Sequence, residues 1–143
     1  MAGSLFEKVL IAVDGSEKNR AVIEEGVRIM RVCNARGYAV YVSDTGTLSS
    51  GAEEVPLVET YEILKEEAEK AFEWVKSFSG DTEPETVLLE GRPASEIVKF
   101  AVEKEIDLIV IGTQGKKGLE RLLLGSVAEE VIRSASCKVL VVK

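Results

Sequence analysis

The 143-residue chain contains no histidine, and this absence removes several kinds of chemistry at once. Histidine is the general base of Ser-His-Asp and Cys-His nucleophiles and a ligand in H-E-x-x-H zinc sites, so these sites are excluded. Any chemistry must come from carboxylates, lysines, backbone amides or a bound ligand.

Cysteine and long apolar runs are also scarce. The two cysteines, Cys33 and Cys137, lack C-x-x-C spacing, and each sits in a hydrophobic pattern. We interpret them as buried free thiols. The chain has no apolar run of about 18 residues, and its first residues lack the apolar core of a signal peptide, so a cytoplasmic location is expected.

Positive charge is in the minority, with 18 Lys and Arg against 25 Asp and Glu and a net charge of −7. Nonspecific nucleic-acid binding depends on Lys and Arg that neutralise phosphates, so this balance disfavours it. A hydrophobic fraction of 45% and a charged fraction of 30% are typical of a globular protein. At this length we expect a single domain over residues 1–143.

Short apolar runs alternate with amphipathic stretches along the whole chain. The runs predict strands at Lys8–Val13, Tyr38–Ser43, Pro84–Glu90, Asp107–Ile111 and Cys137–Val142. The amphipathic stretches predict helices at Glu17–Asn34, Leu57–Phe78, about Ala94–Val102 and Ser126–Ser134. Strands this apolar are typical of a parallel sheet covered on both faces, so we predict an α/β, three-layer sandwich with five parallel strands.

Helical periodicity predicts which side chains are buried. The predicted buried positions, in chain order, are Val22, Gly26, Ile29, Met30, Cys33, Tyr61, Leu64, Ala68, Ala71, Phe72, Val75, Ala94, Ile97, Val98, Ala101, Val102, Val127, Val131 and Ile132. Trp74 is expected at a helix edge, partly exposed. Gly37 is expected to end the first helix-to-strand connection, and Ser16 is a candidate N-cap.

A glycine-punctuated segment, Ile109–Val127, carries the strongest chemical signal. It predicts a strand, a loop and then a helix that begins after Gly125-Ser126. Free N–H groups and the positive dipole end at such a helix start suit an anion such as phosphate. The spacing is neither that of a P-loop nor that of a Rossmann G-x-G-x-x-G motif. Because ligands of parallel sheets bind beyond the carboxyl ends of the strands, Asp14 and Gly112 are expected to face one site.

These features together resemble the universal stress protein family in its small, single-domain form. The likeness covers nearly the whole chain: the opening strand V-L-I-A-V-D-G-S, the turn Gly91-Arg92-Pro93-Ala94 and the tail S-x-C-K-V-L-V-V-K. The most specific match is Gly112-x2-Gly115-x9-Gly125-Ser126, the G-x2-G-x9-G-S/T spacing of ATP-binding members. The resemblance implies a Rossmann-like, adenine nucleotide alpha hydrolase-like domain with strand order 3-2-1-4-5.

The resemblance also implies an ATP site. Adenine would lie near the ends of the first two strands, with Val42 offering backbone hydrogen bonds and Ala12 and Val13 giving apolar cover. Asp14 would bind the ribose or help to position a Mg²⁺ or Mn²⁺ ion held mainly by the phosphates. The remaining implied residues are Ile111, Gly112, Gln114 and Gly115 along the ribose and phosphate path, and Gly125, Ser126 and Val127 at the phosphates.

Simpler interpretations of these residues stay open. Asp14 can merely begin a turn, and Gly125-Ser126 can be a helix break with an N-cap. A charge run beside a loop is usually solvated, and Lys116, Lys117 and Arg121 are interpreted so. ATP-binding relatives often carry His or Arg at the position of Gln114, His at that of Tyr41 and Pro at that of Ala12, which leaves nucleotide preference open.

The expected function is therefore ATP binding by a regulatory or stress-response module. No base and charge clamp for phosphoryl transfer is evident, so robust catalysis is not expected, and weak ATPase or autophosphorylation activity stays open. The alternative is a dimeric interaction module on the same fold that binds no nucleotide. A receiver-type phosphoacceptor is disfavoured because the third strand ends in Glu90-Gly91 rather than in aspartate.

Two further expectations concern assembly and motion. The last strand, Val139–Val142, is apolar and expected at a sheet edge. Proteins cover or pair such edges, so a homodimer through this strand is expected, as the resemblance also implies. The irregular stretch of about residues 44–56 is long enough for a lid that becomes ordered on nucleotide binding.

Overall fold

The computed structural model describes residues 5–44, 57–113 and 124–143, with the backbone alone for 57–60. The expected lid, apart from residue 44, lies outside these ranges. Within them the elements are β1 (Lys8–Val13), α1 (Asn19–Cys33), β2 (Arg36–Ser43), α2 (Leu57–Ser79), β3 (Glu85–Glu90), α3 (Pro93–Glu103), β4 (Leu108–Gly112), α4 (Ser126–Ser134) and β5 (Lys138–Val142). This order confirms the alternation that the sequence predicts.

The five strands form one parallel sheet in the order β3-β2-β1-β4-β5, which confirms the expected topology. β1 is central, with Leu10 opposite Tyr38 of β2 on one side and Ile109 of β4 on the other. The chain moves outward from β1 through β2 and β3, then crosses to the other side for β4 and β5. The topological switch point therefore lies between β1 and β4, and β5 is an edge strand.

The helices form two outer layers. On one face, α1 and α2 cover a core that includes Ile11 and Val110. On the other face, α3 and α4 cover a core that includes Leu10 and Ile109. All four side chains are fully buried, and burial of each stabilises the fold by about 1.5–3 kcal/mol. The alternation of β1 and β4 residues between the two cores decides which side chains can reach a site on either face.

Two glycines set how closely α1 packs on the sheet. A Cβ at Gly26 would lie 2.5 Å from Cγ1 of Ile11, so the helix could not approach β1 as closely with a larger residue. The prediction that Gly37 ends the connection after α1 was wrong, because Gly37 lies inside β2. There the Met30 side chain occupies the space that a Cβ of residue 37 would need. The residue that ends α1 is Asn34, with a left-handed φ of 53°.

Asp107 lies at the amino ends of the strands, where it contacts the start of β1. Its carboxylate accepts hydrogen bonds from the amides of Glu7 at 2.8 Å and Lys8 at 3.1 Å. Its own amide donates to the carbonyl of Lys8 at 3.0 Å. Asp107 thus precedes β4 and clamps the start of β1, rather than forming the first residue of the strand.

Several burial predictions were wrong. Tyr61, Val102 and Ile132 are exposed, at 38%, 61% and 43%. Val102 and Ile132 directly follow residues that face the sheet, and the 100° turn per helical residue carries them toward solvent. Trp74 is half-buried as predicted.

The cysteine prediction was right about chemistry and too strong about burial. Cys33 and Cys137 are free thiols, and both are half-buried. Within the described ranges, no helix is both long and apolar enough to cross a membrane.

Candidate functional site

The start of α4 is held against the end of β4. The amide of Gly125 donates to the carbonyl oxygen of Thr113 at 2.6 Å, and the amide of Thr113 donates to the carbonyl of Val142 at 3.2 Å. The first helical hydrogen bond of α4 runs from the amide of Glu129 to the carbonyl of Gly125 at 2.9 Å. The helix therefore begins at the carboxyl edge of the sheet, next to the switch point.

The amides at this helix start differ in availability. The amide of Gly125 is engaged by Thr113, so it is not free for a ligand. The amides of Ser126 and Val127 lie in the first turn, where an α-helix offers no internal acceptor. Gly125 is the N-cap, with φ −62° and ψ 156°, and no side chain caps the helix. Ser126 is an exposed residue at the start of this helix.

Asp14 follows β1 on the neighbouring side of the switch point. Its Oδ1 accepts hydrogen bonds from the amide of Ser16 at 2.8 Å and from the Ser16 hydroxyl at 2.7 Å. Ser16 is therefore not the N-cap of α1; Lys18 occupies that position, and no side chain caps the helix. Among the described residues, both hydrogen bonds to the Asp14 carboxylate use Oδ1, which leaves Oδ2 as an acceptor for a ligand.

Asn19 is a site residue that the sequence reasoning missed. It is 4% exposed, and its Nδ2 donates to the carbonyl of Ala12 at 2.9 Å. Its Oδ1 accepts from the amide of Asp14 at 3.2 Å. The available signal was an asparagine in the first turn after Asp-Gly-Ser, because Asn side chains at helix starts often bind nearby backbone groups.

An apolar floor lies on the α3–α4 face of the same edge. Ala12 and Ile111 are buried, at 8% and 5% exposure, and the half-buried Val42 and Val127 pack against the same core. Val13 belongs to the opposite core, under α1 and α2. The side chain of Val13 therefore cannot cover a ligand on the α3–α4 face, and only its backbone reaches this edge.

The described residues implied for a ligand site lie at the carboxyl ends of β1, β2 and β4 and at the start of α4. Gly112 ends β4, paired with Val142 of β5. Gln114 and Gly115, like Lys116, Lys117 and Arg121, lie outside the described residues.

Two open cavities flank the switch point. One of about 610 Å³ lies between the start of α1 and the ends of β4 and β5, where Gly112 and Thr113 line it. The other, of about 470 Å³, is lined by Asp14, Tyr41 and residues of α2. Each volume suits a small-molecule ligand, although neither cavity is centred on the apolar floor. The described residues contain no cluster of three or more metal-ligating carboxylates or cysteines.

Comparison with known proteins places this arrangement in a family. The model of the Universal stress protein family matches residues 5–143. The chain belongs to the universal stress protein family. A universal stress protein of Methanocaldococcus jannaschii is 44% identical over 142 residues, which cover 98% of this chain and 84% of that relative. The solved universal stress protein UspA from Lactobacillus plantarum has a TM-score of 0.77 at 29% identity, with complete coverage of both chains.

Two solved universal stress proteins contain adenine nucleotides. One is in complex with cAMP, with a TM-score of 0.64, 23% identity and 96% coverage of both chains. The other, from Archaeoglobus fulgidus, is in complex with dAMP, with a TM-score of 0.66, 24% identity and coverage of 97% and 99%. At identities of 23% and 24%, these two proteins share the fold of the present chain.

Proposed function

We propose that this universal stress protein binds ATP at the edge between β1 and β4 and serves as a nucleotide-dependent regulatory or stress-response module. The observation that carries the proposal is the hydrogen bond from Gly125 to Thr113 at 2.6 Å. It sets the open first turn of α4 beside the carboxyl end of β4, one strand away from Asp14. Open amides and a carboxylate on facing sides of a switch point suit a nucleotide, which has an anionic end and a hydroxylated sugar.

The geometry suggests a role for each residue. Adenine packs on the floor formed by Ala12 and Ile111, with backbone hydrogen bonds from Val42. Asp14 binds the ribose. The amides of Ser126 and Val127, with the Ser126 hydroxyl, hold phosphate oxygens. Gly112 lies on the path between sugar and phosphates, while Val13 contributes backbone and Gly125 anchors the helix. Gln114 and Gly115 are assigned to the same path by the spacing of the motif alone.

The fold neighbours solved with cAMP and dAMP support the choice of an adenine nucleotide. A Mg²⁺ or Mn²⁺ ion would be held mainly by the phosphates, since Mg²⁺ usually keeps waters and takes few protein ligands. Asp14, the carboxylate of the proposed site, would help to position such an ion. The ion would neutralise phosphate charge and help to bind the triphosphate.

The same site favours holding ATP over using it. Phosphoryl transfer requires a positioned base and a strong cationic clamp around the phosphates. The chain has no histidine, and Asp14, whose Oδ1 accepts hydrogen bonds from Ser16, is proposed to bind the ribose rather than to act as the base. We therefore propose at most slow hydrolysis, with the nucleotide setting a conformational or assembly state.

Nucleotide binding is tested by mass spectrometry of nucleotides released from the purified protein, followed by calorimetry with ATP, ADP and AMP. The variant Ser126→Asp places a negative charge against the phosphates and is expected to weaken ATP binding about tenfold or more. Ser95→Asp is its matched control, because Ser95 is an exposed residue in the first turn of the neighbouring helix α3. Gly115→Val is expected to abolish binding while circular dichroism shows a preserved fold. Failure of the wild type to bind any adenine nucleotide would overturn the proposal.

We further propose that the protein forms a homodimer through β5. This strand lies at the sheet edge, and Leu140 within it is 36% exposed. Analytical ultracentrifugation at micromolar concentration is expected to show a dimer, and Leu140→Glu is expected to shift it toward monomer because like charges would face each other across the two-fold axis. A monomeric wild type would refute this assembly.

A further inference from the structure

We infer that Asn19 and Ser16 are positioning residues that hold Asp14 ready to bind a ribose hydroxyl through Oδ2. The inference rests on the proposed function, which supplies the nucleotide. It adds how the site distinguishes a ribonucleotide from its deoxy analogues.

Asn19 fixes the backbone that carries Asp14. Its amide group reaches two backbone positions on either side of Val13, donating to the Ala12 carbonyl at 2.9 Å and accepting from the Asp14 amide at 3.2 Å. A carboxamide can do both because it has a donor and an acceptor on one planar group. Since Asn19 is 96% buried in the first turn of α1, the helix sets the direction in which the chain leaves β1.

Ser16 fixes the carboxylate itself. Its amide and its hydroxyl both donate to Oδ1 of Asp14, at 2.8 Å and 2.7 Å. Two donors on one oxygen hold the carboxylate in one rotamer before a ligand arrives. Binding then avoids the entropy of ordering that side chain.

The remaining oxygen, Oδ2, selects the chemistry of its partner. An ionised carboxylate only accepts hydrogen bonds, so it needs a donor. In ATP at neutral pH the donors are the adenine amino group and the two ribose hydroxyls. With the adenine on the floor beside Val42, the ribose is the part of the ligand that meets the end of β1.

Calorimetry with the full chain and three ligands tests this: ATP, 2′-deoxyATP and 3′-deoxyATP, each with Mg²⁺. The wild type is expected to bind at least one deoxy analogue about tenfold more weakly than ATP, as loss of a hydrogen bond to a charged group implies. Ser16→Ala and Asn19→Ala are expected to reduce that ratio to about threefold or less, because a mobile carboxylate distinguishes the sugars poorly. Ser16→Thr keeps both donors and should restore the wild-type ratio.

The control separates positioning from stability. Val22→Ala, a buried position on the same helix, lowers stability without touching Asp14 and should leave the ratio unchanged. Equal ratios in wild type, Ser16→Ala and Asn19→Ala would overturn the inference while ATP binding stands. A wild type that binds ATP without sugar discrimination would overturn it as well.

The two proposals fail in different ways. A wild type that binds no nucleotide defeats the proposed function, and the positioning role falls with it. If Asn19→Ala does not fold, as judged by circular dichroism, the pair Ser16→Ala and Ser16→Thr decides the question alone.

Discussion

The amide of Gly125 and the carbonyl oxygen of Thr113 are 2.6 Å apart, and they join the end of β4 to the start of α4. The amide of Thr113 in turn donates a hydrogen bond to the carbonyl oxygen of Val142, at the end of the edge strand β5. One residue thus contacts both the helix start proposed for phosphate binding and the strand proposed for dimerisation.

Amide hydrogen exchange should distinguish Gly125 from its neighbours. Gly125 is buried and bonded to Thr113, so its amide is expected to exchange about tenfold or more slowly than that of Ser126 in the free protein. Added Mg-ATP is expected to slow exchange at Ser126 and Val127 and to change Gly125 little. Nuclear magnetic resonance exchange rates measure this, and fast exchange at Gly125 in the free protein would contradict the structure.

Asp107→Ala is expected to lower stability without altering nucleotide affinity. The substitution removes the acceptor of the Glu7 and Lys8 amides at the edge of the sheet opposite the site. The free energy of unfolding is expected to fall by about 1–2 kcal/mol, or Tm by roughly 3–6 °C. The loss is modest because the hydrogen bonds of Asp107 are partly exposed to water. Asp81→Ala, at an exposed turn residue, is the control. Unchanged thermal unfolding of Asp107→Ala would show that the clamp does not stabilise the fold.

Gly26→Ala tests the close packing of α1 on β1. Alanine favours a helix over glycine by about 1 kcal/mol, but the added Cβ would lie 2.5 Å from Cγ1 of Ile11. Overpacking of about 1–3 kcal/mol should exceed that gain, so urea unfolding should show net destabilisation. In an Ile11→Ala background the clash is absent, and the same change should become neutral or stabilising. Equal effects in both backgrounds would exclude the packing explanation.

The reactivity of Cys137 should depend on pH in a defined direction. Burial raises the pKa of the Cys137 thiol, and the charge of Asp107 adds to the rise. The folded chain then holds this proton more tightly than the unfolded chain, in which a cysteine has a pKa of about 8.5. The contribution of the Cys137 thiol to folding stability is fully present below the pKa of the unfolded chain. It is lost as the pH rises through the pKa of the folded chain.

Alkylation by iodoacetamide in a Cys33→Ala background measures this shift. The rate should reach half of its maximum at a higher pH in the folded protein than in urea. An equal or lower midpoint in the folded protein would contradict the raised pKa.

The sequence was sufficient for the fold because its strongest signals are local. The apolar run Lys8–Val13 and the glycine spacing around Gly112 and Gly125 each mark a strand end or a helix start. The parallel orientation of the strands follows from their alternation with helices, whereas the strand order 3-2-1-4-5 came from the resemblance to the family. Helix faces were less certain, since periodicity alone makes Val102 and Ile132 equivalent to their buried neighbours. What exposes them is the position of the sheet, which no window of sequence contains.

The candidate site was predictable in its ligand-facing residues and not in their support. Asp14 stands out because it follows a buried strand. Asn19 does not, because an asparagine in a helical first turn is common, and only the folded chain shows it between Ala12 and Asp14. The opposite orientations of Ala12 and Val13, by contrast, follow from the pleat of any strand, so the sequence already implied that only one of them could cover a ligand on a given face.

Asp107 and Asn19 stand at opposite ends of β1, and together they hold the strand where it enters and where it leaves the sheet. The length of β1, six residues, is therefore set by the contacts at its two ends. A single inserted or deleted residue in this strand would reverse its pleat, move the Asp14 carboxylate to the wrong face and break one of the two anchors. Length variation is therefore expected to be rejected in this central strand.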